Sequence, residues 1–132
     1  MEREIKFRVW DIYKKVFIPI NVFAITTSNY SYFAVMIEDW EDYKVGEYMY
    51  PNTQTIMQFT GLQDKKRNDI YENDIVKSKT VLGEGVSKII WDTNSCCFTS
   101  KNLGSHIMEK ETEFEILGNS FQNLELLESV QE

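Results

Sequence analysis

Asp64, Asp69, Glu72 and Asp74 place four carboxylates within eleven positions, and oxygen ligands at that density are what a Mg2+ or Ca2+ ion takes. Their spacing matches no calcium-binding loop. Asp at the opening of a turn or strand binds local backbone donors, so a structural role is expected for Asp64 and Asp74. Interleaved with them is one compact basic run, Lys65-Lys66-Arg67, which carries the chemistry of a phosphate or acidic-partner contact. Asp64 and Asp69 flank it and reduce its net field, which favours a solvated turn. A third pattern is Glu109, Glu111, Glu113 and Glu115, one at every second position. A strand would line them along one face about 6.6 Å apart. Neighbours would then repel by roughly 0.6 kcal/mol each in water, so the face must be exposed or meet cations. It reads either as an edge strand whose charges block edge-to-edge aggregation or as a docking ridge for a basic partner surface.

Covalent chemistry finds little support. His106 is the sole histidine, which excludes a multi-histidine metal site. A Cys-His pair with Cys96 or Cys97 is the remaining nucleophilic option, but strand cysteines are usually small buried hydrophobes. No glycine-rich phosphate loop, metal-spaced His/Cys set or nucleophile with a base signature occurs in the sequence. The expectation is therefore a protein that is not an enzyme and carries no cofactor or metal. Trp10, Trp40, Trp91 and the 7 tyrosines could stack on bases, yet Trp10 and Trp91 fall at strand ends among core residues, so packing is expected of them.

The elements that would position these residues are mostly strands. Ile5, Phe7 and Val9 alternate with Lys6 and Arg8, which predicts a strand over Glu4–Trp10 and a polar turn over Asp11–Lys15. Val16–Thr27 is β-branched and aromatic, but Pro19 limits it to an edge or broken strand. Tyr30–Ile37 reads as a covered strand after the turn signal Thr27-Ser28-Asn29, while 38–52 fits neither period. Strands follow at Thr55–Leu62, ending at Gly61, and at Asp74–Lys79. Val86–Trp91 and Cys96–Ser100 flank Asp92-Thr93-Asn94-Ser95 and predict a hairpin. Glu111–Leu117 is a further strand stopped at Gly118-Asn119, and Asn123 could cap one or two helical turns reaching Ser129. Short strands at even spacing suggest a small barrel or rolled sheet.

At 132 residues the chain can close one core, or one core with an appended lobe. A hydrophobic share of 42% and an aromatic share of 14% mark it as folded. The formal charge of -7 repels phosphate backbones, but it is concentrated at the end: residues 101–132 carry -5 and residues 56–100 carry 0. Nucleic acid therefore stays open as a partner of the middle third. No apolar run nears the ~20 residues of a membrane span, and the N-terminus lacks a secretion-signal layout, so no membrane role is expected. Cys96 and Cys97 are neighbours and poorly placed for a disulfide, which fits a reducing cytoplasm.

Three stretches together resemble the YopX family of phage and prophage proteins. They are Arg-Glu-Ile-Lys-Phe-Arg-Val-Trp-Asp at 3–11, Thr-Gly-Leu-Gln-Asp-Lys at 60–65 leading into Ile-Tyr-Glu-Asn-Asp-Ile-Val-Lys at 70–77, and Ile-Trp-Asp at 90–92. Ile-Leu-Gly-Asn at 116–119 with Glu-Leu-Leu at 125–127 is similar too. The resemblance implies a small SH3-like barrel built largely from the second half, 56–132. With the strand pattern this gives a mainly β chain whose N-terminal strands over 1–55 pack against the barrel or form an association lobe, and which ends in a short helical turn. It also implies phage or prophage origin, life in a bacterial host cytoplasm and no known reaction. Arg67 and Asn73 stand where the family pattern has Gly, and Leu124 where it has Pro. Asn73 can keep a positive φ, and in the 64–69 turn Asn68 is the expected left-handed residue. The resulting expectation is a binding or regulatory module. Its partner would be a phage or host protein or a second copy, contacted through Lys65, Lys66 and Arg67 and through Glu109, Glu111, Glu113 and Glu115.

Overall fold

The computed structural model describes residues 4–28, 31–49, 54–80, 83–100 and 113–129, which form a mainly β protein. The chain divides into two units, one made of Lys6–Gln58 and the other of Phe59–Glu132 with Met1–Ile5.

In the first unit, β1 (Phe7–Asp11) turns back through residues 12–15 into β2 (Val16–Ile18), pairing Val9 with Ile18. On its other side β1 pairs with the start of β6 (Gln54–Gln63), from Phe7 opposite Gln58 to Asp11 opposite Gln54. The apolar stretch from Val16 does break at Pro19, which has no N–H to offer a ladder. Its remainder forms β3 (Phe23–Ser28), antiparallel to β4 (Ser31–Met36), which in turn pairs with the two-residue β5 (Tyr48–Met49). Between β4 and β5, Trp40 and Tyr43 form an isolated bridge with stacked rings 6.0 Å apart. Val9, Ile18, Val22, Phe23, Ala34, Met36 and Tyr43 are the buried core of this unit.

In the second unit, β6 continues past Gly61 instead of ending there. Gly61 takes a φ of +92°, and the register with β7 (Asp69–Tyr71) shifts between Phe59 and Gln63, so the glycine marks a bulge. A four-stranded antiparallel sheet follows in the order β10-β9-β8-β11, from β8 (Asp74–Thr80), β9 (Gly83–Asp92), β10 (Cys97–Ser100) and β11 (Glu113–Asn119). The hairpin of β9 and β10 is closed as expected: Asp92 accepts the Asn94 N–H at 3.0 Å and the Ser95 hydroxyl at 2.9 Å. β11 runs through Gly118 to Asn119 with a register shift after Ile116, where a strand end was expected. A Cβ at Gly118 would overlap the Asn123 side chain, so a larger residue here would push the Asn123 oxygen off the Asn119 N–H.

A 3-10 helix, Leu124–Ser129, ends the described chain. Asn123 does not cap it in the expected manner. Its side-chain oxygen accepts the Asn119 N–H at 3.2 Å, while Asn119 accepts the N–H groups of Phe121 and Gln122 at 3.0 and 2.8 Å. Ile70, Val76, Ile89 and Phe114 form the core of this unit, with Leu62 and Ile116 packed against them. Among the described residues no helix is long and apolar enough to cross a membrane.

Candidate functional site

Asp64 organises the basic turn. Its Oδ1 accepts the N–H groups of Lys66 and Asn68 at 2.9 and 2.8 Å, and Oδ2 accepts the Ile116 N–H at 3.2 Å. The Asn68 side chain lies at 3.4 Å from the same Oδ2. Only 6% of Asp64 is exposed. Burial pushes its carboxyl upward, but the donors from Asn68, Ile116 and Lys66 outweigh that and hold it below the usual carboxylate range. The left-handed residue of the turn is Arg67, at φ +67°, and not Asn68. The reason is local: Arg67 N–H reaches the Asp64 carbonyl at 2.9 Å and Asn68 N–H must point at Oδ1, which forces the turn at position 67. The bonds that tie down the turn outweigh the roughly 1–2 kcal/mol that a left-handed non-glycine residue costs.

The turn also closes a strand edge. Among the described residues β11 is the outermost strand of its sheet; its Ile116 N–H goes to Asp64 and its Phe114 carbonyl accepts Lys65 N–H at 2.9 Å. Two backbone groups that would face open water are thereby satisfied by the preceding turn.

Two features that are separate in sequence become one surface. Lys65 and Lys66 both reach Glu115, at 3.7 and 3.5 Å. Across the ladder Glu113 stands opposite Lys79 and Glu115 opposite Lys77, and Lys77 pairs diagonally with Glu84 of β9 at 3.6 Å. Lys65, Lys77, Lys79, Glu84, Glu113 and Glu115 line a depression of about 110 Å³ together with Phe114. Glu113 and Glu115 thus meet cations, on an outermost strand, and the acidic ridge is interleaved with lysines. Exposed pairs at such distances each contribute about 0–1 kcal/mol, so the face is cheaply rearranged by an incoming charge.

Over residues 6–128 the sequence matches the family described as YopX protein. The chain belongs to the YopX family. No curated protein matches it. The crystal structure of protein EF1440 from Enterococcus faecalis is similar, with a TM-score of 0.63 and 21% identity over 96% of this chain and 99% of that chain. At that identity the likeness is one of fold, and it agrees with the mainly β architecture.

The other candidates of this YopX-family chain fall as follows. Asp74 accepts the Tyr71 N–H at 2.8 Å, and Asp69 accepts the Gln63 side-chain amide at 3.0 Å, so the carboxylates around the basic turn serve local structure. Among the described residues no group of three or more His, Cys, Asp or Glu is placed to hold a metal ion. His106, Glu109 and Glu111 lie outside the described residues. Cys96 is exposed in the turn before β10 at φ +54°, not buried in a strand, and neither cysteine forms a disulfide. Trp10 is buried, whereas Trp91 is 44% exposed with an edge contact to Phe98 at 5.0 Å, because it sits where the β9–β10 hairpin runs out beyond the core.

Sequence reading missed two things in this YopX-family fold. One is the lysine pair Lys77 and Lys79, whose alternate spacing on a predicted strand matches that of Glu113 and Glu115 and was the available signal. The other is Asp11, 3% exposed, which accepts Tyr13 and Lys14 N–H groups at 2.8 and 2.9 Å through Oδ1 and the Tyr43 hydroxyl through Oδ2. Burial pushes Asp11 upward, but the donors from Lys14, Tyr43, Tyr13 and Gln54 prevail and lower it. Burial first and the Asp11 carboxylate second drive Tyr43 well above its ordinary value. Lys14 lies over the Tyr43 ring, 3.9 Å from its centroid, and pairs with Asp42 at 3.5 Å.

Proposed function

We propose that this chain is a non-catalytic binding or regulatory module of phage or prophage origin, acting in a bacterial host cytoplasm, with the interleaved charged face as its contact surface. The second unit is read as the SH3-like barrel of the module. The observation that supports the reading is the convergence of the 64–68 turn and β11 on one exposed face, held by a buried carboxylate whose oxygens are already committed to backbone N–H groups. A carboxylate used in that way shapes a surface; a catalytic or metal-holding one would need an oxygen aimed at a ligand. Exposed charge in a fixed arrangement suits a partner chosen by electrostatic complementarity.

The test is capture from infected or prophage-carrying bacteria with the wild type and with Lys65→Glu/Lys66→Glu, bound material being identified by mass spectrometry. The expected result is a protein partner retained by the wild type and lost by the variant. Capture indifferent to these charges would remove the face from the function, and nuclease-sensitive capture would replace the protein partner with a nucleic acid.

A further inference from the structure

Charge on the exposed face of the second unit is ordered in four columns. Outermost are Lys65 and Lys66, next come Glu113 and Glu115 on β11, then Lys79 and Lys77 on β8, and last, level with Lys79, Glu84 on β9; Lys88 lies farther along the same face of β9, opposite Ile75 and beyond these charged rows. The order is basic, acidic, basic, acidic. Read from the other side it is acidic, basic, acidic, basic, so the pattern is its own complement under a two-fold rotation about an axis along the strands between β8 and β11.

We propose that this face pairs with the same face of a second copy of the chain. The inference rests on reading the face as a binding surface and goes further by naming what binds. Glu113 and Glu115 of one copy then face Lys79 and Lys77 of the other, and Lys65 and Lys66 face the other copy's Glu84, so each contact occurs twice, as a two-fold interface requires. Twisted sheets stacked face to face cross at about 30°, which keeps the two central columns opposed even where the outer ones diverge. Charge selects this occupant. A uniformly acidic or basic partner would oppose two columns and repel the other two, whereas a second copy matches all four. The charged rows themselves carry four lysines against three glutamates, close to neutral, while the whole chain carries -7, so net charge does not hold two copies apart here.

Sedimentation of the purified chain over a concentration series tests this, at about 50 mM and about 500 mM salt, because exposed pairs are screened over that range. The expected result is a monomer–dimer equilibrium whose association constant falls about tenfold or more at the higher salt. The decisive arm is a charge swap. Lys77→Glu/Lys79→Glu and Glu113→Lys/Glu115→Lys should each be folded by circular dichroism and monomeric alone, yet form a heterodimer when mixed, since every column is then opposed by its opposite. Should a central-strand variant not fold, Lys65→Glu/Lys66→Glu mixed with Glu84→Lys restores the same four-column match without altering β8 or β11. A wild type that stays monomeric to millimolar concentration at low salt overturns the proposal, as does self-association retained by both variants or a mixture that stays monomeric. If self-association fails while cellular capture still depends on Lys65 and Lys66, the binding-module reading stands and only the self-pairing falls.

Discussion

Asp11 in the first unit and Asp64 in the second begin with the same local chemistry and part at the second oxygen. Each opens a turn and receives two backbone N–H groups on Oδ1. The Oδ2 of Asp11 receives the hydroxyl of Tyr43, and that of Asp64 receives the backbone N–H of Ile116. A hydroxyl can rotate and act as donor or acceptor, while a backbone N–H only donates. The first unit has tied its turn to an adaptable side chain, and the second to a fixed point of a strand. The second arrangement positions a surface more rigidly.

The substitution that separates the two most sharply is Asp to Asn. Asp64→Asn places an amide against Ile116 N–H and Asn68, donor against donor, and is expected to cost about 3 kcal/mol in urea unfolding. Asp11→Asn leaves Tyr43 free to accept instead and is expected to cost about 1 kcal/mol. Equal losses would show that the second oxygen does not distinguish the sites. Tyr43→Phe, removing one hydroxyl from a buried carboxylate, should cost about 1–2 kcal/mol and leave the Lys65–Glu115 side of the molecule unchanged by NMR.

Acidity adds a finer distinction. Both carboxyls are lowered by folding, so each contributes stability that is fully present above the ordinary carboxylate range and is lost as pH falls through it toward the depressed folded value. Stability should decline below about pH 4, and Tyr43→Phe should remove part of the Asp11 share while leaving that of Asp64. At the alkaline end the raised Tyr43 works the opposite way: its contribution is complete below its unfolded value and disappears as pH rises from about 10. Tyr43→Phe should flatten that alkaline decline in a pH series of thermal melts. The smallest effect is expected at Arg67, where Arg67→Gly relieves the left-handed backbone and should stabilise by about 0.5–1 kcal/mol without disturbing Asp64.

Much of the strand order was legible because alternation of apolar and polar residues is a local signal. Phe7–Asp11, Asp74–Thr80 and the hairpin around Asp92 to Ser95 lie close to where the pattern puts them. Gly61 and Gly118 were misread as strand ends because a glycine stops a strand and bulges one with the same residue; only the pairing strand tells which. Asn68 was expected to be left-handed on intrinsic preference, but hydrogen bonds to a carboxylate four residues earlier assigned that conformation to Arg67.

By itself the sequence determined that strands form, that Asp64 and Asp74 serve their local backbone, and that the basic run and the acidic series exist. Tertiary structure alone decided that those two charged features share a face, since Lys65 and Glu115 stand fifty positions apart and nothing in composition or period encodes distance. The strand pairing of β11 with β8 also set the lysines between the glutamates, and with them the alternation on which any partner must match. Periodicity fixes which way a side chain faces along its own strand; only the register between strands fixes what stands beside it.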